Sequence, residues 1–190
     1  MIINFNGTCS SHAPILLEYL HTFKPKKIVE FGSGYFSTQM LIDSAAAVHS
    51  FEISSKDWYN FLNNRYKQTN WKYTYETDIR NIEKAIDNMG EIDLAFVDDG
   101  DSRAPLTNYS FDKANTIIAH DTQCDWAKDF KVPSNYMRID FTQTPHHYES
   151  PKHRPFTTLM TKDSLVYNYF IKTGELSLYE KYKFPYGITR

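Results

Sequence analysis

Between Lys27 and Thr38 the chain reads KIVEFGSGYFST, a short apolar run that passes straight into two glycines and then a helix start. Ile28, Val29 and Phe31 carry the β-branched and aromatic character of a buried strand, and Lys26 and Lys27 mark its wet end. Gly32 permits a tight turn at positive φ, while Gly34 leaves no Cβ between the main chain and whatever approaches it. Ser37 and Thr38 then open a helix carrying Met40, Leu41 and Ile42. In a parallel sheet, such a strand–turn–helix presents backbone N–H groups and a carboxylate to a nucleoside ligand. A dinucleotide fingerprint would need a third glycine at position 37, where this chain has Ser37.

A second strand, Val48 to Ile53, ends with Glu52, which lies 22 positions after Glu30. An acidic side chain about 20 residues beyond the glycine turn is placed to accept hydrogen bonds from both ribose hydroxyls. Gly32, Gly34 and Glu52 therefore describe a nucleoside site. The competing reading is that Glu52 only caps the helix that follows.

Short apolar runs alternate with helical patterns along the chain, the signature of βαβ units. Strands are expected near 27–31, 48–53, 71–75, 92–98 and 115–119, with closing strands at 136–141 and 155–161. Ser10 or Ser11 can cap a first helix, with Pro14 in its first turn and Ile15, Leu16, Tyr19, Leu20 and Phe23 on one face. The connection 99–114 carries too much Asp, Ser, Pro and Asn for a long helix. A chain of 190 residues reads as one domain, 1–190, with a core of about 10–162 and an aromatic extension over 163–190.

The ordered set of motifs resembles a known family. Glu30, Gly32, Gly34 and Ser37 (ExGxGxxS), followed by Glu52, resemble motifs I and II of the class I S-adenosylmethionine-dependent methyltransferases. YTYETDIR, 73–80, resembles the third motif, which implies that Asp78 meets the adenine amino group and Ile79 packs on the ring. DLAFVDDGD, 93–101, resembles the fourth, and TIIAHDT, 116–122, the fifth strand and its tip. These strand ends are similar to the VDGDH-like and HDT-like ends of a branch of small O-methyltransferases, related in turn to the catechol O-methyltransferase group. The resemblance spans roughly residues 10–162. It implies an α/β fold, a Rossmann-like three-layer sandwich whose mostly parallel sheet is closed by an antiparallel C-terminal strand pair. The implied activity is methyl transfer from S-adenosylmethionine to a small-molecule acceptor, at a hydroxyl oxygen. The alternatives are a protein that binds S-adenosylmethionine without transfer, in a regulatory or assembly role, and an enzyme that degrades it.

In an open parallel sheet the ligand sits beyond the carboxyl ends of the strands, and the polar residues fall there. The fourth strand delivers Asp98, Asp99 and Asp101; the fifth delivers His120 and Asp121. Asp98 follows a buried run and belongs at the floor of the site, touching cofactor and acceptor, whereas Asp99 and Asp101 read as solvated loop residues. Asp98, His120 and Asp121 are the catalytic candidates. A carboxylate beside His120 would orient and charge it, suiting it to take a proton from an acceptor hydroxyl; otherwise His120 only hydrogen-bonds at the strand end. Catechol-type relatives hold Mg²⁺ with an Asp at the fourth strand end and an acidic or amide pair at the fifth. That makes Asp98 and Asp121 the candidate ligands, although His120 departs from the pattern.

Charge and composition restrict partners. The 21 Lys and Arg nearly balance 23 Asp and Glu, so no general affinity for polyanions follows. The first Lys or Arg is Lys24 and no apolar run reaches membrane-span length, so the expectation is a cytoplasmic protein that does not insert into a membrane. Cys9 and Cys124 offer neither a disulfide framework nor a metal cage. In the loop 145–155, His146, His147 and His153 lack a zinc spacing. That loop is a solvated connection or, through Tyr148 and Arg154, an acceptor-binding lip. Tyr167, Tyr169, Phe170, Tyr179, Tyr182, Phe184 and Tyr186 make the C-terminal region a cover for the core or a homo-oligomer contact. Lys172, Lys181, Lys183 and Arg190 among those rings would suit single-stranded nucleic acid, but Glu175, Glu180 and the lack of a DPPY-like motif argue against it.

Overall fold

The computed structural model describes residues 12–122, 128–141 and 157–182. Its elements run α1 (Ala13–Phe23), β1 (Lys27–Phe31), α2 (Ser37–Asp43), β2 (Ala47–Glu52), α3 (Lys56–Arg65), β3 (Trp71–Tyr75), α4 (Ile79–Asp87) and β4 (Ile92–Val97). They continue with α5 (Arg103–Ser110), β5 (Ala114–His120), β6 (Met137–Phe141), β7 (Thr157–Thr161), α6 (Ser164–Thr173) and α7 (Glu175–Lys181). The seven strands form one sheet in the order β3-β2-β1-β4-β5-β7-β6. The first five are parallel, and β7 runs antiparallel to both β5 and β6. This is the expected Rossmann-like α/β sandwich, with its topological switch between β1 and β4.

Period-two alternation sends each strand's side chains into two different cores. Ile28, Leu94, Phe96 and Ile118 pack beneath α1, α2, α6 and α7, while Val29, Phe31, Ala95, Val97 and Ile117 pack beneath α4 and α5. In α4, Ile82 and Ile86 lie four apart and both are buried, with Asp78 capping the first turn through the Arg80 N–H. The 99–114 connection holds only the eight-residue α5, with Pro105 in its first turn and Leu106 turned into the core.

Several expectations shift. The cap position of α1 is His12, which makes no side-chain cap bond, and Ser10 and Ser11 lie outside the described residues. Strands β2 and β4 stop at Glu52 and Val97, so Ile53 and Asp98 are the first residues beyond the sheet. The C-terminal aromatics act as cover: Phe170 and Tyr179 join the core that α1 lines, and Phe184 and Tyr186 lie outside the described residues. Glu18, buried in α1, fastens this cover by accepting bonds from the Tyr169 hydroxyl, Lys181 Nζ at 2.6 Å and the Tyr182 hydroxyl at 2.7 Å.

Register decides what meets at the strand ends. Phe31 is level with Phe51 on one side and Val97 on the other, and Val97 is level with Ala119. The next residues, Gly32 and Asp98 just beyond their strands and Glu52 and His120 at the last position of theirs, therefore stand side by side at the sheet's edge. Among the described residues no helix is long and apolar enough to cross a membrane.

Candidate functional site

The glycine turn is built as expected. Gly32 adopts φ 76°, and a Cβ there would stand 2.5 Å from the Asp98 carbonyl oxygen, so the tips of β1 and β4 touch only because the side chain is absent. At Gly34 a Cβ would lie 2.7 Å from Ser37 Oγ. Ser37 Oγ donates to Glu30 at 2.8 Å, joined by Thr38 Oγ1 at 2.9 Å and Ser50 Oγ at 2.5 Å. Glu30 is wholly buried, and burial pushes its carboxyl up to about 7, against the pull of the three hydroxyls. Glu30 and Ser37 thus support the glycine turn from beneath.

Of the two roles the sequence left open for Glu52, the internal bonds bear on the structural one. Its Oε1 accepts the Ser54 and Ser55 N–H groups at 3.0 Å each, fastening the turn before α3, whose cap is Ser55. Its Oε2 accepts the Ser33 hydroxyl at 2.8 Å, and Ser33 in turn meets the Tyr73 hydroxyl while its carbonyl takes the Trp58 indole N–H at 2.7 Å. A carboxylate has about four lone-pair sites, so among the described residues this arrangement leaves about one open, on Oε2. Asp78 lies beyond β3 and is engaged by Arg80, whose backbone N–H and Nε reach Oδ1 and whose Nη2 reaches Oδ2 at 2.8 Å. Those bonds hold Asp78 below the usual carboxylate range. Ile79 is half-buried against the core under α4.

The tips of β4 and β5 are charged instead. Asp98 Oδ1 receives His120 Nδ1 and Arg103 Nη2, both at 3.0 Å, and Arg103 Nη1 reaches Asp121 Oδ2 at 3.1 Å. His120 Nε2 faces Asp121 Oδ1 at 3.7 Å. Asp121 sits at φ 56°, a left-handed conformation that Asp tolerates better than most residues. Burial opposes the charged forms of both Asp98 and His120, but their mutual attraction prevails: Asp98 lies below its usual range and His120 above 6.5.

Sequence reasoning missed three residues here. His12 is 1% exposed, with its ring centroid 4.6 Å from that of His120 in an edge-on contact, and neither ring nitrogen has a hydrogen-bond partner among the described residues. Burial, then the His120 charge, lowers its pKa to about 3, so it is a neutral imidazole. Arg103 stood in a segment that reads as polar loop. Asp99, expected to be solvated, is 3% exposed and accepts from Ser54 Oγ at 3.1 Å and the Ser102 N–H at 3.3 Å, tying the loop after β4 to the loop after β2. Asp101 is exposed, as expected.

The donor set does not fit the Mg²⁺ site expected at Asp98 and Asp121. The two carboxylates do come together, but the Arg103 guanidinium stands between them. The loop 145–155, with His146, His147, Tyr148, His153 and Arg154, lies outside the described residues, as do Cys9 and Cys124.

Comparison with solved structures places this architecture. The chain is similar to an O-methyltransferase from Bacillus cereus in complex with S-adenosylhomocysteine, with a TM-score of 0.63 and 14% identity over 85% of this chain and 84% of that one. The fold is the class I methyltransferase fold. The S-adenosylhomocysteine-bound Podospora anserina methyltransferase PaMTH1 is also similar, with a TM-score of 0.55 and 15% identity over 78% of this chain and 77% of that one. So is a precorrin-6y C5,15-methyltransferase from Geobacter metallireducens, with a TM-score of 0.54 and 13% identity over 78% of this chain and 87% of that one. No protein-family model matches the chain, and no curated protein matches it significantly. An O-methyltransferase and a precorrin methyltransferase share this fold, so what this chain does has to be argued from its site.

Proposed function

We propose that this protein binds S-adenosylmethionine beside the glycine turn and transfers its methyl group to a hydroxyl oxygen of a small acceptor. The observation that carries this reading is the Asp98–His120 pair at the open end of the sheet, Asp98 on the strand next to that of Gly32 and His120 on the strand beyond it. Backbone at Gly32 and Gly34 would hold the methionine end, Glu52 the ribose, and Asp78 with Ile79 the adenine. When bound, S-adenosylmethionine supplies an electrophilic methyl group on a sulfonium.

His120 does the proton work. With Nδ1–H donated to Asp98 Oδ1, the neutral ring keeps its lone pair on Nε2. As the acceptor oxygen forms its bond to the methyl carbon, its proton passes to Nε2 and the electron pair of the breaking carbon–sulfur bond stays on sulfur. The imidazolium so formed lies between Asp98 and Asp121, which stabilise its charge. Positioning of acceptor against methyl, with water excluded, supplies the rest. We take the whole chain as one catalytic domain, because α6 and α7 share the core of α1.

The test is a panel of phenols, catechols and aliphatic alcohols incubated with S-adenosylmethionine, following S-adenosylhomocysteine release. An accepted hydroxyl whose turnover falls about 10²–10⁴-fold in His120→Ala, with S-adenosylhomocysteine binding retained, is the expected result. Turnover that ignores His120→Ala contradicts the assigned base.

A further inference from the structure

We infer that Arg103 is the built-in cation of this site, holding Asp98 and Asp121 together as a divalent ion would, so that the protein takes up no metal while Arg103 is present. The inference deepens the methyl-transfer reading and rests on it only for its catalytic consequence.

One guanidinium spans both carboxylates, Nη2 on Asp98 at 3.0 Å and Nη1 on Asp121 at 3.1 Å, with the arginine side chain 11% exposed. A planar fork of this kind fixes distance and direction together, which a lysine point charge does not. The arginine is also aimed. It opens α5 directly after a loop that Asp99 pins through Ser54 and the Ser102 N–H, and its own N–H donates to the Gly100 carbonyl at 3.3 Å.

Charge counting agrees. Asp98 and Asp121 bring two negative charges, and Arg103 already sets one positive charge against both. A dication entering as well would face the guanidinium across a mostly buried space, with Asp98 Oδ1 already taken by Arg103 and His120. Yet the surrounding donors suit a metal. One atom each of His12, Asp98 and His120 lie within 4.8 Å of one another, and the His12 nitrogens are buried with no hydrogen-bond partner among the described residues. Two imidazoles and a carboxylate form a ligand set for a borderline cation such as Zn²⁺, with Asp121 nearby. Arg103 is what makes the set unavailable, so shortening it should create a metal site.

The experiment is calorimetric titration of Mg²⁺, Mn²⁺ and Zn²⁺ into the full chain, wild type and Arg103→Ala, with S-adenosylhomocysteine binding measured on the same samples. Wild type is expected to bind none of the ions below millimolar concentration. Arg103→Ala is expected to gain at least a 100-fold tighter affinity for Zn²⁺ or Mn²⁺, lost again when Asp98→Asn is added. Micromolar binding of any of these ions to wild type that Asp98→Asn abolishes would overturn the inference. So would an Arg103→Ala protein with retained S-adenosylhomocysteine binding that gains no metal affinity. If Arg103→Ala does not fold, Arg103→Gln keeps length and hydrogen bonding while removing the charge, and carries the same test. The metal titration reads the cation; the S-adenosylhomocysteine titration separately reads the methyltransferase proposal.

Discussion

Glu30 and Asp98 lie in neighbouring strands' territory, both largely out of water, and their protonation moves in opposite directions. Glu30 is surrounded by three hydroxyl donors and its carboxyl rises to about 7. Asp98 is surrounded by His120 and Arg103 and falls below the usual range. Neutral donors soften the penalty of burying a carboxylate; cationic partners reverse it. The contrast divides the strand ends into two halves. The β1–β2 half is held by hydroxyls and backbone N–H groups, an environment that reads a ligand by shape and hydrogen bonds. The β4–β5 half is held by ion pairs, which can move a proton.

The sharpest break in that contrast comes from Asp98→Asn. It leaves His120 a neutral partner, so turnover should drop by about 100-fold or more. His120 is charged below a midpoint above 6.5, and the base must be neutral, so rate rises with pH through that midpoint. With Asp98→Asn the midpoint should move down, and a pH–rate profile checks it. Gly32→Ala attacks the seam between the halves. Its Cβ would meet the Asp98 carbonyl at 2.5 Å in a positive-φ backbone, and urea unfolding should show a loss of about 3 kcal/mol.

Glu30 sharpens the contrast through stability. Its folded pKa stands above the ordinary 4.5, so the folded state holds a proton that the unfolded state has released. The contribution is full below pH 4.5 and declines as pH rises to about 7, by roughly 3 kcal/mol if the rest of the chain is subtracted. Glu30→Gln should flatten that decline in urea unfolding compared across pH. His12 has the opposite sign: its lowered pKa makes stability fall as pH drops below 6.5 toward 3. The smallest effect belongs to Arg80→Ala, which frees the exposed Asp78 carboxylate and should tighten S-adenosylhomocysteine binding by about two- to threefold.

The β1–β2 half was largely legible in the sequence, because its signals are local. Strand β1, Gly32 and the helix start occupy one continuous stretch, and Glu52 follows at the next strand's end. Asp98 and His120 were legible for a related reason: both end apolar runs, and parallel register brings such ends together. What the sequence hid depends on distant chain segments. Arg103 sits in DGDSRAP, whose composition reads as solvated loop; only the parallel pairing of β4 with β5 brings together the two carboxylates that its side chain spans. Asp99 is buried because Ser54 reaches it from another loop. His12 is separated from His120 by most of the sheet's sequence, and no periodicity links them. Glu30 was visible as a motif position, but its three hydroxyl partners come partly from β2, through the Glu30–Ser50 register.

The account rests most heavily on a nucleoside cofactor at the β1–β2 tips. Calorimetric titration of S-adenosylhomocysteine and S-adenosylmethionine into wild type and Glu52→Ala addresses it directly. The predicted result is binding to wild type that Glu52→Ala weakens by about tenfold or more, the usual worth of a hydrogen bond to a charged group. Failure of both ligands to bind the folded wild-type chain would contradict it.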